Sequence, residues 1–93
     1  MKITIQYTGQ LAGITGASEE IAEVAETSNL QQLIALLVSR HPGEYADLLL
    51  NENGVLRESI LVIFDGEQAV GDLEALPVKG VRTIMLMSPI AGG

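Results

Sequence analysis

The sequence contains no cysteine, no tryptophan and a single histidine, and its aromatic side chains are two tyrosines and one phenylalanine. Without cysteine the chain can form neither a disulfide nor a thiolate metal site. It also lacks a thiol nucleophile, so any sulfur or acyl chemistry must use another group. Cations are scarce as well. Lys2, Arg40, Arg57, Lys79 and Arg82 stand against 12 Asp and Glu, which leaves a net charge of −7. A nucleic-acid binder needs a basic surface to release counterions from phosphates, and no such partner is expected here. Long hydrophobic runs are missing: the longest, Leu33 to Val38, falls far short of the roughly 20 residues that span a bilayer. The N-terminal residues alternate in polarity and do not form the apolar block of a secretory leader. These features point to a cytoplasmic protein with no membrane partner. What is present is apolar material, 47% of 93 residues, which suffices for one small domain and is too much for a disordered acidic segment.

Residues 2 to 8 place Ile3, Ile5 and Tyr7 on one face with a period of two, the pattern of a half-buried strand. Gly9, Gly13 and Gly16 interrupt it, and a flexible hairpin connection is expected there. A phosphate-binding loop is not, because such a loop wants Gly-Lys-Ser/Thr, whereas this stretch runs into Ser18-Glu19-Glu20, whose carboxylates repel phosphate. Residues 19 to 26 have helix-favouring composition but are short and follow a strand and a turn, so they read as a second strand. Glu19, Glu20, Glu23 and Glu26 then form a solvated acidic face, with no ordered oxygen-ligand loop to make a metal site. A helix is predicted from near Ser28, with Ser28 and Gln31 as its capping box and Leu30, Leu33, Ile34, Leu37 and Val38 as its buried stripe. His41-Pro42-Gly43 ends it, with His41 as a C-terminal capping residue. A short second helix over residues 44 to 50 turns Tyr45, Leu48 and Leu49 inward, and Asn51-Glu52-Asn53-Gly54 forms a turn.

Ile60 to Phe64 is a continuous apolar run closed by Asp65-Gly66, which predicts a central strand buried on both faces and followed by a hairpin turn. Val81 to Met87 forms the last strand, with Ile84 and Leu86 facing the core. Met85 and Met87 then lie on the opposite face. Either a partner or the segment 44 to 59 covers them, and the adaptability of thioethers favours a partner-binding surface. The order of elements describes an α+β domain with a mixed sheet covered by one main helix.

The sequence closes on Ser88-Pro89-Ile90-Ala91-Gly92-Gly93. Pro89 has no N–H for a ladder, so the last strand is expected to stop there, giving a domain over residues 1–88 and a flexible tail over 89–93. Extended, that tail reaches roughly 16 Å, enough to enter a partner's cleft, and Gly92 and Gly93 lack the Cβ atoms that would widen it. A free carboxylate is a poor acyl donor. Converted to an acyl-adenylate it gains a good leaving group, and a sulfur or amine nucleophile can then displace AMP. The competing reading is that terminal glycines are simply a loose end.

Leu61-Val62-Ile63-Phe64-Asp65-Gly66 before a hairpin turn, and above all Met87-Ser88-Pro89-Ile90-Ala91-Gly92-Gly93, resemble the β-grasp, ubiquitin-like sulfur carriers. Within that family the chain is most similar to small subunits of molybdopterin synthase. The resemblance implies a β-grasp fold and a carrier subunit with no catalytic site of its own. It implies adenylation of Gly93 by an activating enzyme that uses ATP, with no cofactor or metal bound by the chain itself. Gly93 then becomes a thiocarboxylate, Gly92 its slim neighbour, and Ala91, Ile90 and Pro89 the rest of the tail. The large subunit of the synthase is the implied acceptor. Related carriers serve thiamine, cysteine and tRNA-thiolation pathways, and others are conjugated to lysines as modifiers. Two departures bear on the docking partner: Pro77-Val78-Lys79-Gly80 replaces an Asp-Gly-Asp-type turn, and Met87 stands where an aromatic residue is frequent.

Overall fold

The computed structural model describes residues 1–88. Strand β1 (Lys2–Thr8) buries Ile3, Ile5 and Tyr7, the face its alternation predicts. It pairs antiparallel with β2 (Glu19–Glu23) and parallel with the last strand, β5 (Thr83–Met87). On the other side of β5 runs β3 (Leu61–Phe64), antiparallel, followed by the two-residue β4 (Glu67–Gln68). The sheet order is β2-β1-β5-β3-β4, a mixed sheet with β5 at its centre.

One face of this sheet is covered. Helix α2 (Leu30–Arg40) lays Leu30, Leu33, Ile34 and Leu37 against it, and these side chains share a core with Ile3, Ile5, Val62, Ile84 and Leu86, while Val38, expected in the same stripe, is only half-buried at its edge. Helix α3 (Glu44–Leu49) adds Tyr45 and Leu49 to the same core, while Leu48, expected inward, is only half-buried at its edge. Segment 44 to 59 therefore packs on the helix side, with Leu56 also in that core, and leaves Met85 and Met87 on the other face. Of the turns, Asp65-Gly66 is the one its residues specify best: both adopt positive φ, 49° and 89°, the geometry of a tight hairpin. The Asp65 carboxylate then accepts from the N–H groups of Arg82 and Thr83, fixing the start of β5.

Four expectations about the elements and their caps and faces need correction beyond Val38 and Leu48. Residues 9 to 16 form helix α1 (Gln10–Thr15) and not a flexible connection, because Leu11 is fully buried and the glycines at either end, Gly9 and Gly16, supply the positive-φ reversals that enter and leave a helix. The cap of α2 is Asn29 with Gln32, one residue later than Ser28 with Gln31. The reason is tertiary: Ser28 is buried, its carbonyl accepts from Val78 N–H, and Leu30 N–H donates to Leu76. Strand β3 is second from the edge and Leu61 is 43% exposed, so it is neither central nor buried on both faces. Its apolar run is continuous because Leu61 and Ile63 continue a patch on the uncovered face. Finally, Glu20 does not lie on a solvated face. It shares the inward side of β2 with Ala22 and is partly buried.

Candidate functional site

Residues opposite each other in a ladder point to the same side of a sheet, so the strand register defines the uncovered face. Gln6 stands beside Met85 and Met85 beside Ile63. One rung further, Thr8 stands beside Met87 and Met87 beside Leu61. Leu61, Ile63, Met85 and Met87 thus form one apolar patch across β3 and β5, bordered by Gln6 and Thr8. None of the four takes part in the main core. The sequence expectation for Ile84, Leu86, Met85 and Met87 holds as a matter of orientation: the first two are fully buried, the methionines half-buried on the far side.

The patch sits next to the point where the chain leaves the sheet. β1 and β5 run in the same direction, and Thr8 is level with Met87. Gly9 lies so close to Ser88 that a Cβ added to it would be 3.4 Å from Ser88 Oγ. Pro89, Ile90, Ala91, Gly92 and Gly93, the tail residues singled out from sequence, lie outside the described residues. Among the described residues no helix is long and apolar enough to cross a membrane.

A family model described as the ThiS family matches residues 5–93. The chain belongs to the ThiS family. It is a ubiquitin-like sulfur carrier or modifier with a β-grasp fold. Among solved structures, SAMP1 from Haloferax volcanii is similar at a TM-score of 0.86 and 20% identity, covering 100% of both chains. Urm1 from Trypanosoma brucei is similar at 0.75 and 28%, covering 99% of this chain and 95% of that one. A protein described as molybdopterin converting factor, subunit 1, from Pyrococcus furiosus is similar at 0.69 and 18%, covering 97% and 99%. No curated protein sequence matches the chain.

This ThiS-family domain also contains a polar cluster that the sequence reading missed. The Glu20 carboxylate accepts from Tyr7 Oη at 2.7 Å and from Arg40 Nη1 at 3.0 Å, and it meets His41 Nε2 at 2.6 Å. Tyr45 Oη lies 2.9 Å from Tyr7 Oη; because the single Tyr7 proton is directed to Glu20, Tyr45 is the donor. The His41 ring lies over Tyr45 with centroids 4.9 Å apart. His41 does end α2 through its backbone N–H, but its side chain is turned to Glu20 and not to the last helical carbonyls. The available signal was the phase of β2, since Glu20, Ala22 and Val24 alternate together and a buried Ala22 carries Glu20 inward with it.

Burial pushes the hydroxyls of Tyr7 and Tyr45 up, so both remain protonated donors. Burial also pushes the Glu20 carboxyl up. The hydrogen bonds from Tyr7, His41 and Arg40 outweigh it and hold Glu20 below its ordinary value. A depressed carboxyl contributes stability above its unfolded pKa and loses it as pH falls through the folded one. Replacing Glu20→Gln is therefore expected to lower stability by about 1 to 3 kcal/mol at neutral pH. The gap between variant and wild type should close as the pH is taken below about 4. Denaturant titrations at several pH values measure this, and a gap that stays constant would show that the carboxylate charge is irrelevant.

Proposed function

We propose that the protein carries sulfur as a thiocarboxylate on Gly93 and delivers it in molybdopterin biosynthesis. The observation that carries this reading is the extent of the family match, which runs through β5 to Gly92 and Gly93. A carboxylate oxygen of Gly93 attacks the α-phosphorus of ATP on an activating enzyme and pyrophosphate leaves. A hydrosulfide-type nucleophile then attacks the acyl carbon and AMP leaves. In this reading the acids and bases for these steps belong to the activating enzyme. Its contribution is presentation: residues 1–88 are the docking domain, and Pro89 to Gly93 the arm that enters the partner's cleft. The molybdopterin branch is supported by the Pro-Ile-Ala-Gly-Gly ending and by the likeness to the Pyrococcus protein, whose description names a molybdopterin converting factor subunit. The acceptor in this reading is the large subunit of molybdopterin synthase.

A second reading, conjugation to lysines, is favoured by the Methanosarcina and Haloferax neighbours described as small archaeal modifier proteins. It shares the adenylate and differs only in the nucleophile, a lysine amine in place of sulfur. Intact mass of the protein isolated from its own cell, with and without its activating enzyme, separates the two. A thiocarboxylate adds about 16 Da and should vanish with the activating enzyme. Isopeptide-linked adducts without that species would favour the modifier, and an unmodified carboxylate under both conditions would exclude both.

The patch of Leu61, Ile63, Met85 and Met87 is the docking surface in this proposal. Met87→Asp should weaken binding to the activating enzyme or the acceptor by about tenfold or more, the loss expected of a central apolar contact. The melting temperature should change little because the methionine lies outside the core. A variant that unfolds, or that binds both partners normally, would remove Met87 from the interface.

A further inference from the structure

Gly13 lies in the interior of α1 without the left-handed backbone that favours glycine, and an added Cβ there would meet no atom within 4 Å. Neither conformation nor packing requires glycine, and it is among the poorest residues for a helix interior. Gly13 does line an open groove of about 970 Å³ between α1 and α3. Ile14, Leu48 and Pro42 give the groove apolar lining, and Glu44 and Asp47 line it from α3. No lysine or arginine lines it, and among the described residues neither carboxylate has an ion-pair partner. Arg57 approaches α3, but its Nε donates to the main-chain carbonyl of Asp47 at 3.1 Å and leaves the carboxylate available.

The groove's position adds to its shape and charge. Its α1 wall begins one residue after Gly9, the residue that abuts Ser88, so it lies near Ser88 at the end of β5. Its α3 wall is tied to β1 and β2 through Tyr45, Tyr7 and Glu20, which anchors α3 to the sheet. The open-face patch reaches the same end of β5, at Met87, so groove and patch flank one end of the domain.

We infer that the α1/α3 groove is a second docking surface, occupied by a basic segment of the activating enzyme that carries at least one apolar side chain. Gly13 is the point at which that segment's backbone lies against α1. The inference rests on the proposed function, and the activating enzyme is the partner that its sulfur-carrier and modifier forms share. A cation beside Glu44 and Asp47 and an apolar side chain over Ile14 and Leu48 match what the groove presents, and opposite charge favours fast, salt-sensitive encounter.

The test uses the full chain, its activating enzyme and ATP, with adenylation followed by pyrophosphate exchange and affinity by titration. Gly13→Phe fills the groove without backbone strain. The double variant Glu44→Gln with Asp47→Asn removes its charge and guards against a Gly13→Phe protein that fails to fold. Each is expected to weaken binding by about tenfold, with the melting temperature held, and the double variant should also flatten the dependence of affinity on salt. Wild-type affinity in the double variant, or in a folded Gly13→Phe, overturns the groove assignment while the adenylation reading stands. A wild-type chain that its activating enzyme does not adenylate overturns that reading and the inference with it.

Discussion

Deleting Gly93, or Gly92 and Gly93 together, is expected to abolish adenylation and all sulfur transfer, reducing product to background. The reason is geometric and chemical together. The acyl carbon must reach the α-phosphate and then the sulfur donor in line, and a tail shorter by one residue withdraws it by about 3.3 Å, more than a reacting pair can tolerate. The shortened chain ends on another carboxylate, but that group is misplaced, and after loss of both glycines it belongs to Ala91, whose methyl group widens the arm. Stability should change by no more than about 0.5 kcal/mol, because the buried core is built from residues 3 to 86. Pyrophosphate exchange and intact mass report the chemistry, and thermal unfolding reports the fold. Sulfur transfer by the truncated protein would end the carrier proposal, and loss of the cooperative melt would assign the tail a structural role.

Leu33→Ala and Leu37→Ala should each destabilise the domain by about 2 to 5 kcal/mol. Both side chains are fully buried, on consecutive turns of α2, against the face formed by Ile3, Ile5, Ile84 and Leu86. Truncation removes their transfer free energy and leaves a cavity that a sheet braced on both sides of β5 cannot collapse to fill. In a small domain with total stability of about 5 to 15 kcal/mol, such a loss lowers the melting point by about 10 °C or more. Denaturant titration measures it, and a midpoint within error of wild type at either position would show that α2 faces the sheet in another register.

The elements whose sequence signal is local were legible. β1 declares itself by strict alternation, α2 by its stripe of Leu30, Leu33, Ile34 and Leu37, and the hairpin by Asp65-Gly66. The candidate site was legible where one strand decides it: once Ile84 and Leu86 are assigned to the core, Met85 and Met87 must lie opposite. What it lacked was Leu61 and Ile63. Their run with Val62 and Phe64 predicts burial on both faces, because an apolar residue under a helix and one on an open sheet face look the same in a sequence. The cap of α2 slipped by one residue for a similar reason. Ser28-Gln31 and Asn29-Gln32 both have capping-box spacing, and the choice was made by hydrogen bonds from residues 76 and 78, distant in the chain.

The sequence by itself determined the fold class, the period of β1 and α2, the lack of a cysteine thiol, the acidic net charge and the glycine-rich ending, because each depends on residue identity, on spacing within one segment or on the order of segments. Only the tertiary structure decided that β5 is central, that α1 is a helix, that Glu20 joins Tyr7, Tyr45 and His41, and that Gly13 borders a groove. Those facts depend on which segments meet. The parallel pairing of β1 with β5 brings residues 2–8 against residues 83–87, and that contact follows from burying two apolar faces under one helix rather than from any pattern within either strand.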